Sequence, residues 1–373
     1  TEGNKKGFTK RQVKDAESAR TLYAKQAYPS IAGFRWAVQS NAIKDCPITV
    51  QMVDDATTIW GKNIAALKGK TTRLSSIPVS SDIIKVPKEL IKLHHEVTLS
   101  ADIFYVNRIP FFITHSRKIE FTTAEHMADT TIPSIMTAWK TVQTFYEQSG
   151  YKIVLLLADG EFAPVQAMIQ QLPGGPKVNI TSASEHVPEI ERKIRGVKER
   201  TRAMRHGPPF SALPVLLTIN IVLYCVRMLN YFPAKGGISD IYSPMTIMTG
   251  QTLSFKEHLR LQIGSYVQVH EEDTPRNSQL PRTKGAICLG PSGNRQGGYK
   301  FLSLKSGYRI TRRSWDEIPM PDTVIDRVNV LGHGQNEQLI FTDRKGRRIG
   351  DVEIPGVDGV YEAPHELDFW NPD

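Results

Sequence analysis

Val97-Thr98-Leu99-Ser100-Ala101-Asp102-Ile103-Phe104 and, later in the chain, Ile153-Val154-Leu155-Leu156-Leu157-Ala158-Asp159 decide how this sequence reads. The second stretch is a continuous apolar run, as expected of a central strand buried on both faces. It ends on an acid, at the carboxyl end of the strand, where open α/β sheets place ligands. The first stretch sets Asp102 inside an otherwise apolar strand. An acid there costs stability unless it is paired, solvated or metal-bound. Around these two, Val97 to Val106, Pro110 to His115 and Lys118 to Thr123 read as strands, with Asn107-Arg108 and Ser116-Arg117 as hairpin connections. Thr131 to Gln148 has an amphipathic helical period and ends at Gly150. A helix from Ala163 to Leu172 stops at Pro173-Gly174-Gly175, and Lys177 to Ser182 is a further strand. Two long helices follow, Val187 to Met204 and Ser211 to Tyr231.

The order is three antiparallel strands, then helix, strand, helix, strand, helix, helix. This is the α/β element order of the ribonuclease-H-like fold, an analogy from order alone for a fold that hosts several activities. Residues 8–70 read as three short helices, with Thr49 a candidate cap for the last. Residues 71–93 have the Ser and Pro chemistry of a linker. After Gly250 four short strands separated by Pro, Gly and Asn suit a small β-barrel. The expected division is a helical unit at 1–74, a linker at 75–95, a ribonuclease-H-like core at 96–235, a small β-rich unit at 236–325 and an acidic, flexible extension at 326–373.

Composition agrees with a globular chain: 40% of the 373 residues are hydrophobic and 23% charged. The net charge of +9 points to an anionic partner. Its distribution is uneven, because residues 1–92 hold 16 Lys/Arg against 8 Asp/Glu while residues 351–373 hold seven acids and no base. The three cysteines, Cys46, Cys225 and Cys288, are far apart, which excludes a disulfide scaffold and a cysteine-rich zinc module. The most apolar stretch, Leu213 to Val226, falls short of the roughly 20 residues a bilayer needs and reads as a buried helix, so no membrane partner is expected. The start on Thr1, with no signal-like segment after it, reads as a fragment boundary or a processed end.

Glu191 supplies a third acid. It flanks the Val187, Ile190, Ile194, Val197 stripe of its helix, so it can point along the sheet. Asp102, Asp159 and Glu191 together could hold two divalent cations, Mg2+ or Mn2+, able to polarise a scissile phosphate and activate the attacking oxygen. Taken singly, each acid is more simply a solvated side chain.

Several segments also resemble the integrases of copia-type retrotransposons, in an ordered series over roughly residues 8–325. Ser184-Glu185-His186-Val187-Pro188-Glu189-Ile190-Glu191-Arg192-Lys193-Ile194-Arg195 is similar to their third-acid segment, Ala158-Asp159-Gly160-Glu161-Phe162 to a shortened second-acid motif, and Ala101-Asp102 to the first. Ala66-Leu67-Lys68-Gly69-Lys70-Thr71-Thr72-Arg73 resembles the close of their pre-integrase region. Ser243-Pro244 through His258-Leu259-Arg260-Leu261 resembles the stretch after the core, and Gly285 to Gly290 with Gly298-Tyr299 the small β-domain. The wording, including Phe8-Thr9-Lys10-Arg11-Gln12, is nearest to copia-like elements of diatoms and other marine eukaryotes. The resemblance implies an integrase segment of a Pol polyprotein: a polynucleotidyl transferase with two Mg2+ or Mn2+ ions on Asp102, Asp159 and Glu191. It implies double-stranded DNA as partner, a homo-oligomer on that DNA, and action in the nucleus after a cytoplasmic particle stage. The family's amino-terminal zinc ligands fall on Tyr23, Tyr28, Asn63 and Ala66, none a zinc ligand, so no zinc is expected. The interval of 31 residues between Asp159 and Glu191 is shorter than usual.

The helix with Glu191 continues through Arg192, Lys193, Arg195, Lys198 and Arg202, the candidate DNA-backbone contacts. Glu191, Arg195, Lys198 and Arg202 share a face. Gly290 to Gly298 lacks the Gly-Lys-Ser/Thr ending of a phosphate loop and reads as a flexible hairpin. His94, His95 and His115 have no partner at ligand spacing, and His186 lies one turn before Glu191. Two classes of function stand: strand transfer, with 3′-end trimming as an optional first step, or a decayed or host-adopted remnant that only binds DNA. A nuclease of ribonuclease-H type fits the basic and β-rich flanks poorly.

Overall fold

The computed structural model describes residues 2–72, 83–181, 188–233, 236–271, 279–294, 297–333 and 341–342. Five helices come first: α1 (Glu2–Lys5), α2 (Lys10–Lys25), α3 (Ile31–Gln39), α4 (Val50–Trp60) and α5 (Ile64–Lys70). Thr9, Ser30, Thr49 and Asn63 cap α2 to α5 by accepting from N–H groups two or three residues on, donors that a first helical turn leaves orphaned. Ala19, Tyr23, Phe34, Val38 and Val53 form the core of this unit. The four positions matched to zinc ligands have other work. Tyr23 is buried and donates to the Pro29 carbonyl at 2.9 Å, Tyr28 packs edge-on against it, Asn63 caps α5, and Ala66 packs on the same core.

A short helix, α6 (Lys88–Leu93), occupies part of the expected linker, with Ile91 packed on the main core. Then follow β1 (Glu96–Val106), β2 (Ile109–Ser116), β3 (Thr122–His126), α7 (Ile132–Gln148), β4 (Lys152–Ala158), a 3-10 turn at Gly160–Val165, α8 (Gln166–Gln171), β5 (Lys177–Ile180), α9 (Pro188–Arg205) and α10 (Val215–Leu229). The sheet order is β3-β2-β1-β4-β5, antiparallel from β1 to β3 and parallel from β1 through β4 to β5. This mixed α/β sheet has the element order expected from the sequence.

Local differences have local causes. Asn107 and Arg108 both adopt positive φ, 50° and 62°, the backbone of a two-residue hairpin turn whose twist matches the strands. The second connection is longer than expected. Residues 117–121 form a loop with Glu120 at φ 61°, so β3 begins four residues after Lys118. Ile119 and Phe121 are apolar because they are buried under α7, and that gave the loop its strand-like pattern. The helix expected from Ala163 is split, since Pro164 lies in the 3-10 turn and α8 starts only at Gln166.

Leu99, Ala101 and Ile103 of β1 pack with Leu156 of β4 and Trp139, Val142 and Tyr146 of α7. On the opposite face Phe104 and Val106 meet Ile190, Val197, Val222 and Val226 of α9 and α10. Successive strand residues face opposite sides, so Ser100 and Asp102 lie on the α9 face.

The remaining elements are α11 (Pro244–Thr249), α12 (Phe255–His258), β6 (Tyr266–His270), β7 (Thr283–Pro291), β8 (Tyr299–Ser303), β9 (Arg309–Arg312), β10 (Trp315–Glu317), α13 (Asp322–His333) and β11 (Phe341–Thr342). The second sheet is antiparallel in the order β10-β6-β7-β8-β9. Among the described residues no ladder joins β9 to β10, so the expected barrel is here a sheet with two edges. Its core is shared with the first unit: Leu217, Ile221 and Cys225 of α10 pack against Ile287, Leu289 and Leu302, with Val324 and Val328 of α13. The flexible extension expected from residue 326 is therefore corrected at its start. Residues 326–333 are helical, and Val328 is fully buried because it closes that shared core. β11 pairs antiparallel with the end of β1, and the acidic stretch 351–373 lies outside the described residues. Among the described residues no helix is long and apolar enough to cross a membrane, and the stretch around α10 is a core helix.

Candidate active site

β1 and β4 are paired in parallel up to Ala101 opposite Ala158, two small residues facing α7. The next residue on each strand is an acid. Continuing the register sets the backbones of Asp102 and Asp159 side by side, about 4.8 Å apart as neighbouring strands are. Both side chains fall on the α9 face at the carboxyl end of the sheet, 4% and 3% exposed. Asp102 accepts from the Ile103 amide at 2.7 Å, and Asp159 from the Thr181 hydroxyl at 3.1 Å. Thr181 is placed by its own amide, which donates to the Ala158 carbonyl at 2.9 Å. Two buried carboxylates on adjacent strands concentrate negative charge where desolvation makes it costly, unless cations or donors answer it.

Glu161 also belongs to this neighbourhood. It stands in the first turn of the 3-10 segment after β4, pinned by Phe162, which is fully buried against Phe112 at 5.8 Å between ring centres. Burial, and then the charge of Asp102, push the Glu161 carboxyl above its usual range. The Tyr105 phenol is raised as well, by burial first, with Glu161 and Asp102 adding to it against a hydrogen bond with Thr130. Glu161 was not among the candidates read from the sequence. Its one sequence signal is that it lies two residues beyond Asp159, inside a turn rather than on a patterned element.

The expected third acid is placed differently from the pair. Glu189 accepts from Ser100 Oγ at 3.4 Å and from Arg117 Nε at 2.7 Å, and Ile190 enters the core. Four residues on from Glu189, Lys193 donates to Glu120 Oε2 at 2.7 Å, and His115 Nε2 lies 3.3 Å from the same oxygen. One row of α9, Glu189 and Lys193, is thus anchored over the lower part of β1 to β3. Each residue turns the helix by about 100°. Glu191 therefore lies on the other flank of the Ile190 stripe, on the side of the carboxyl end of β1, with Arg195, Lys198 and Arg202 along its row. Glu191 is exposed. Among the described residues no three His, Cys, Asp or Glu side chains form a group able to hold a metal. The structure sets Asp102 and Asp159 at the ends of adjacent strands and Glu191 on the exposed flank of α9.

The basic candidates divide in the same way. Arg192, Arg195 and Arg202 are exposed and Lys198 half-buried. Lys193, expected as a DNA contact, is instead held by Glu120, because it falls on the anchored row. Burial would push the Glu120 carboxyl up, but the hydrogen bonds and charges of His115 and Lys193 outweigh that and hold it at about 2. His115, buried and bonded to Thr122 at 3.1 Å, is a structural histidine. His186 and Glu185 lie outside the described residues.

The donor set at the pair is carboxylate oxygen throughout, which suits a hard divalent cation such as Mg2+ or Mn2+ rather than a thiol- or imidazole-seeking metal.

No family model matches the chain, and no curated protein matches it. Among solved structures the chain is similar to the catalytic core domain of BIV integrase, at 14% identity over 40% of this chain and 92% of that one, with a TM-score of 0.31. It is similar also to the HTLV-2 integrase catalytic core domain in complex with magnesium, a trimeric form, at 12% identity over 40% and 95%, with a TM-score of 0.30. The functional reading rests on the strand order and the acid pair themselves.

Proposed function

We propose that the chain is a DNA integrase of the copia-type retrotransposon class, a polynucleotidyl transferase built on a ribonuclease-H-like core. The observation that carries the reading is the pair Asp102 and Asp159, each one residue beyond the register pair Ala101–Ala158 and buried at the carboxyl end of β1 and β4. In this reading Asp102 and Asp159 would hold two Mg2+ or Mn2+ ions, and Glu191, on the exposed flank of α9, would complete the set. When bound, such ions neutralise charge on a phosphodiester and make an oxygen nucleophile competent. The chain's own residues do the rest. Thr181 and the Ile103 amide fix the two carboxylates, while Arg195, Lys198 and Arg202, with Arg192 beside them, grip the phosphate backbone next to the acids. The 3′-hydroxyl oxygen of an element end then bonds to a target phosphorus as the target's own 3′ oxygen leaves. The partner is double-stranded DNA, engaged by a homo-oligomer in the nucleus after a cytoplasmic stage.

A second reading, a DNA-binding remnant without chemistry, draws on the exposed position of Glu191 on the flank of α9. Strand transfer from labelled element-end duplexes, in Mg2+ and in Mn2+, separates the two. The first reading expects joined product from the wild type and none from Asp102→Asn or Asp159→Asn, with duplex binding retained. Binding without joining by the wild type establishes the remnant.

A further inference from the structure

On the side of the sheet away from the acid pair, β3 is a free edge. A cleft of about 490 Å³ opens there, between β3, α7, α10, α11 with Gln251 after it, the end of β7 and Ser292-Gly293. That volume is in the range of small-molecule sites. Arg227, in the last turn of α10, and Lys300 of β8 stand on its wall. The chain is folded tightly over Arg227, whose Nη1 donates to the Pro291 carbonyl at 3.1 Å. Gly293, at φ 85°, leaves so little room that a Cβ there would lie 2.2 Å from Nη2. This gives the Gly-rich segment a job that its lack of a phosphate-loop ending hid.

The cations are crowded. Burial, and then the charges of Arg309 and Arg227, lower the Lys300 ammonium below its usual range. Burial and Arg227 likewise lower His258, with Glu257 opposing. Among the described residues no carboxylate forms an ion pair with Arg227, Lys300 or Arg309. The one acid on the wall is Glu125, whose carboxyl burial raises. Three neighbouring cations with no carboxylate in ion-pair contact repel one another unless an anion joins them. The rest of the wall is of another kind: Phe145, Leu223 and Tyr224 supply apolar surface. The β3 edge supplies backbone groups. Asn230 takes both the amide and the carbonyl of Thr122, at 2.9 and 2.7 Å. By the alternation of an antiparallel edge, the next outward-facing pair belongs to Ala124, which also lines the cleft.

We propose that this cleft binds a nucleoside phosphate, with the phosphate on Arg227 and Lys300, the base on Phe145, Leu223 and Tyr224, and the base edge read by the Ala124 backbone. The ligand is a free nucleotide or the unpaired terminal nucleotide of a DNA strand, which share this chemistry. The site does not depend on the transfer reaction.

Calorimetry with the full chain and deoxyadenosine monophosphate tests it, with circular dichroism to confirm that each variant is folded. Saturable binding is expected, weakened about tenfold in Lys300→Ala, the size of one lost charge-assisted hydrogen bond. Glu125→Gln removes the opposing acid and is expected to bind severalfold tighter. Competition by a duplex with unpaired 5′-phosphorylated ends, but not by a blunt one, assigns the site to DNA ends. Competition by neither assigns it to free nucleotide. No saturable binding by the wild type, or binding unchanged in both Lys300→Ala and Glu125→Gln, overturns the proposal.

Discussion

Replacing Glu120 with Gln tests whether the anchored row of α9 fixes the helix orientation from which Glu191 would reach the acid pair. Glu120 sits at the tip of the β2–β3 loop, 2.7 Å from Lys193 and 3.3 Å from His115. Its carboxyl lies at about 2 against an ordinary 4.5. At 1.36 kcal/mol per pH unit that difference is about 3 kcal/mol, and solvent screening of a partly exposed group reduces it to about 1–2 kcal/mol. The folded pKa is the lower one, so the contribution is fully present above about 4.5 and is lost as pH falls toward 2. Urea unfolding at about pH 7 should therefore show E120Q less stable than wild type by about 1–2 kcal/mol, and the gap should narrow below about pH 4.5 and close near pH 2. The variant also frees Lys193, two residues from Glu191. Joining activity at neutral pH should then fall severalfold while duplex affinity stays within about twofold. Equal stability of E120Q and wild type at neutral pH, or a gap that persists unchanged at pH 3, would refute the clamp.

Three further outcomes follow from the site. Thr181→Val removes the hydroxyl that orients Asp159 and should slow joining about tenfold, with a stability loss of about 1 kcal/mol, read by single-turnover joining and urea unfolding. Lys193→Ala should lower stability without changing the slope of log affinity against log salt. Arg195→Ala should reduce that slope by about 1 with little effect on unfolding.

The acid pair was legible in the sequence because burial leaves a pattern. An unbroken apolar run ending at Asp159 has few meanings other than a central strand, and Asp102 stands out against its apolar neighbours. The 107–108 hairpin was legible for a similar reason, because two residues between apolar runs leave little choice of turn. The β3 start was not, because Ile119 and Phe121 are buried from a loop as thoroughly as from a strand. Glu161 was missed because its position depends on a 3-10 turn pinned by Phe162, and turns carry no period. The anchoring of one row of α9 needed the partners Arg117, Glu120 and Ser100, which lie about seventy to ninety residues away in sequence. Helical spacing gave Lys193 no reason to differ from Arg195. The packing of α13 depends on a core assembled from α10 and the second sheet, a contact that no local pattern announces.

Anomalous scattering from crystals soaked in Mn2+ tests the central claim most directly. The account predicts manganese at the carboxyl end of β1 and β4, bridged by Asp102 and Asp159, with two ions about 3.5–4 Å apart when DNA is bound. Glu191 should have swung in to complete the coordination, and Asp102→Asn should abolish the peaks. An empty pair at saturating Mn2+ with DNA present, or manganese that remains in the Asp102→Asn crystals, would contradict it.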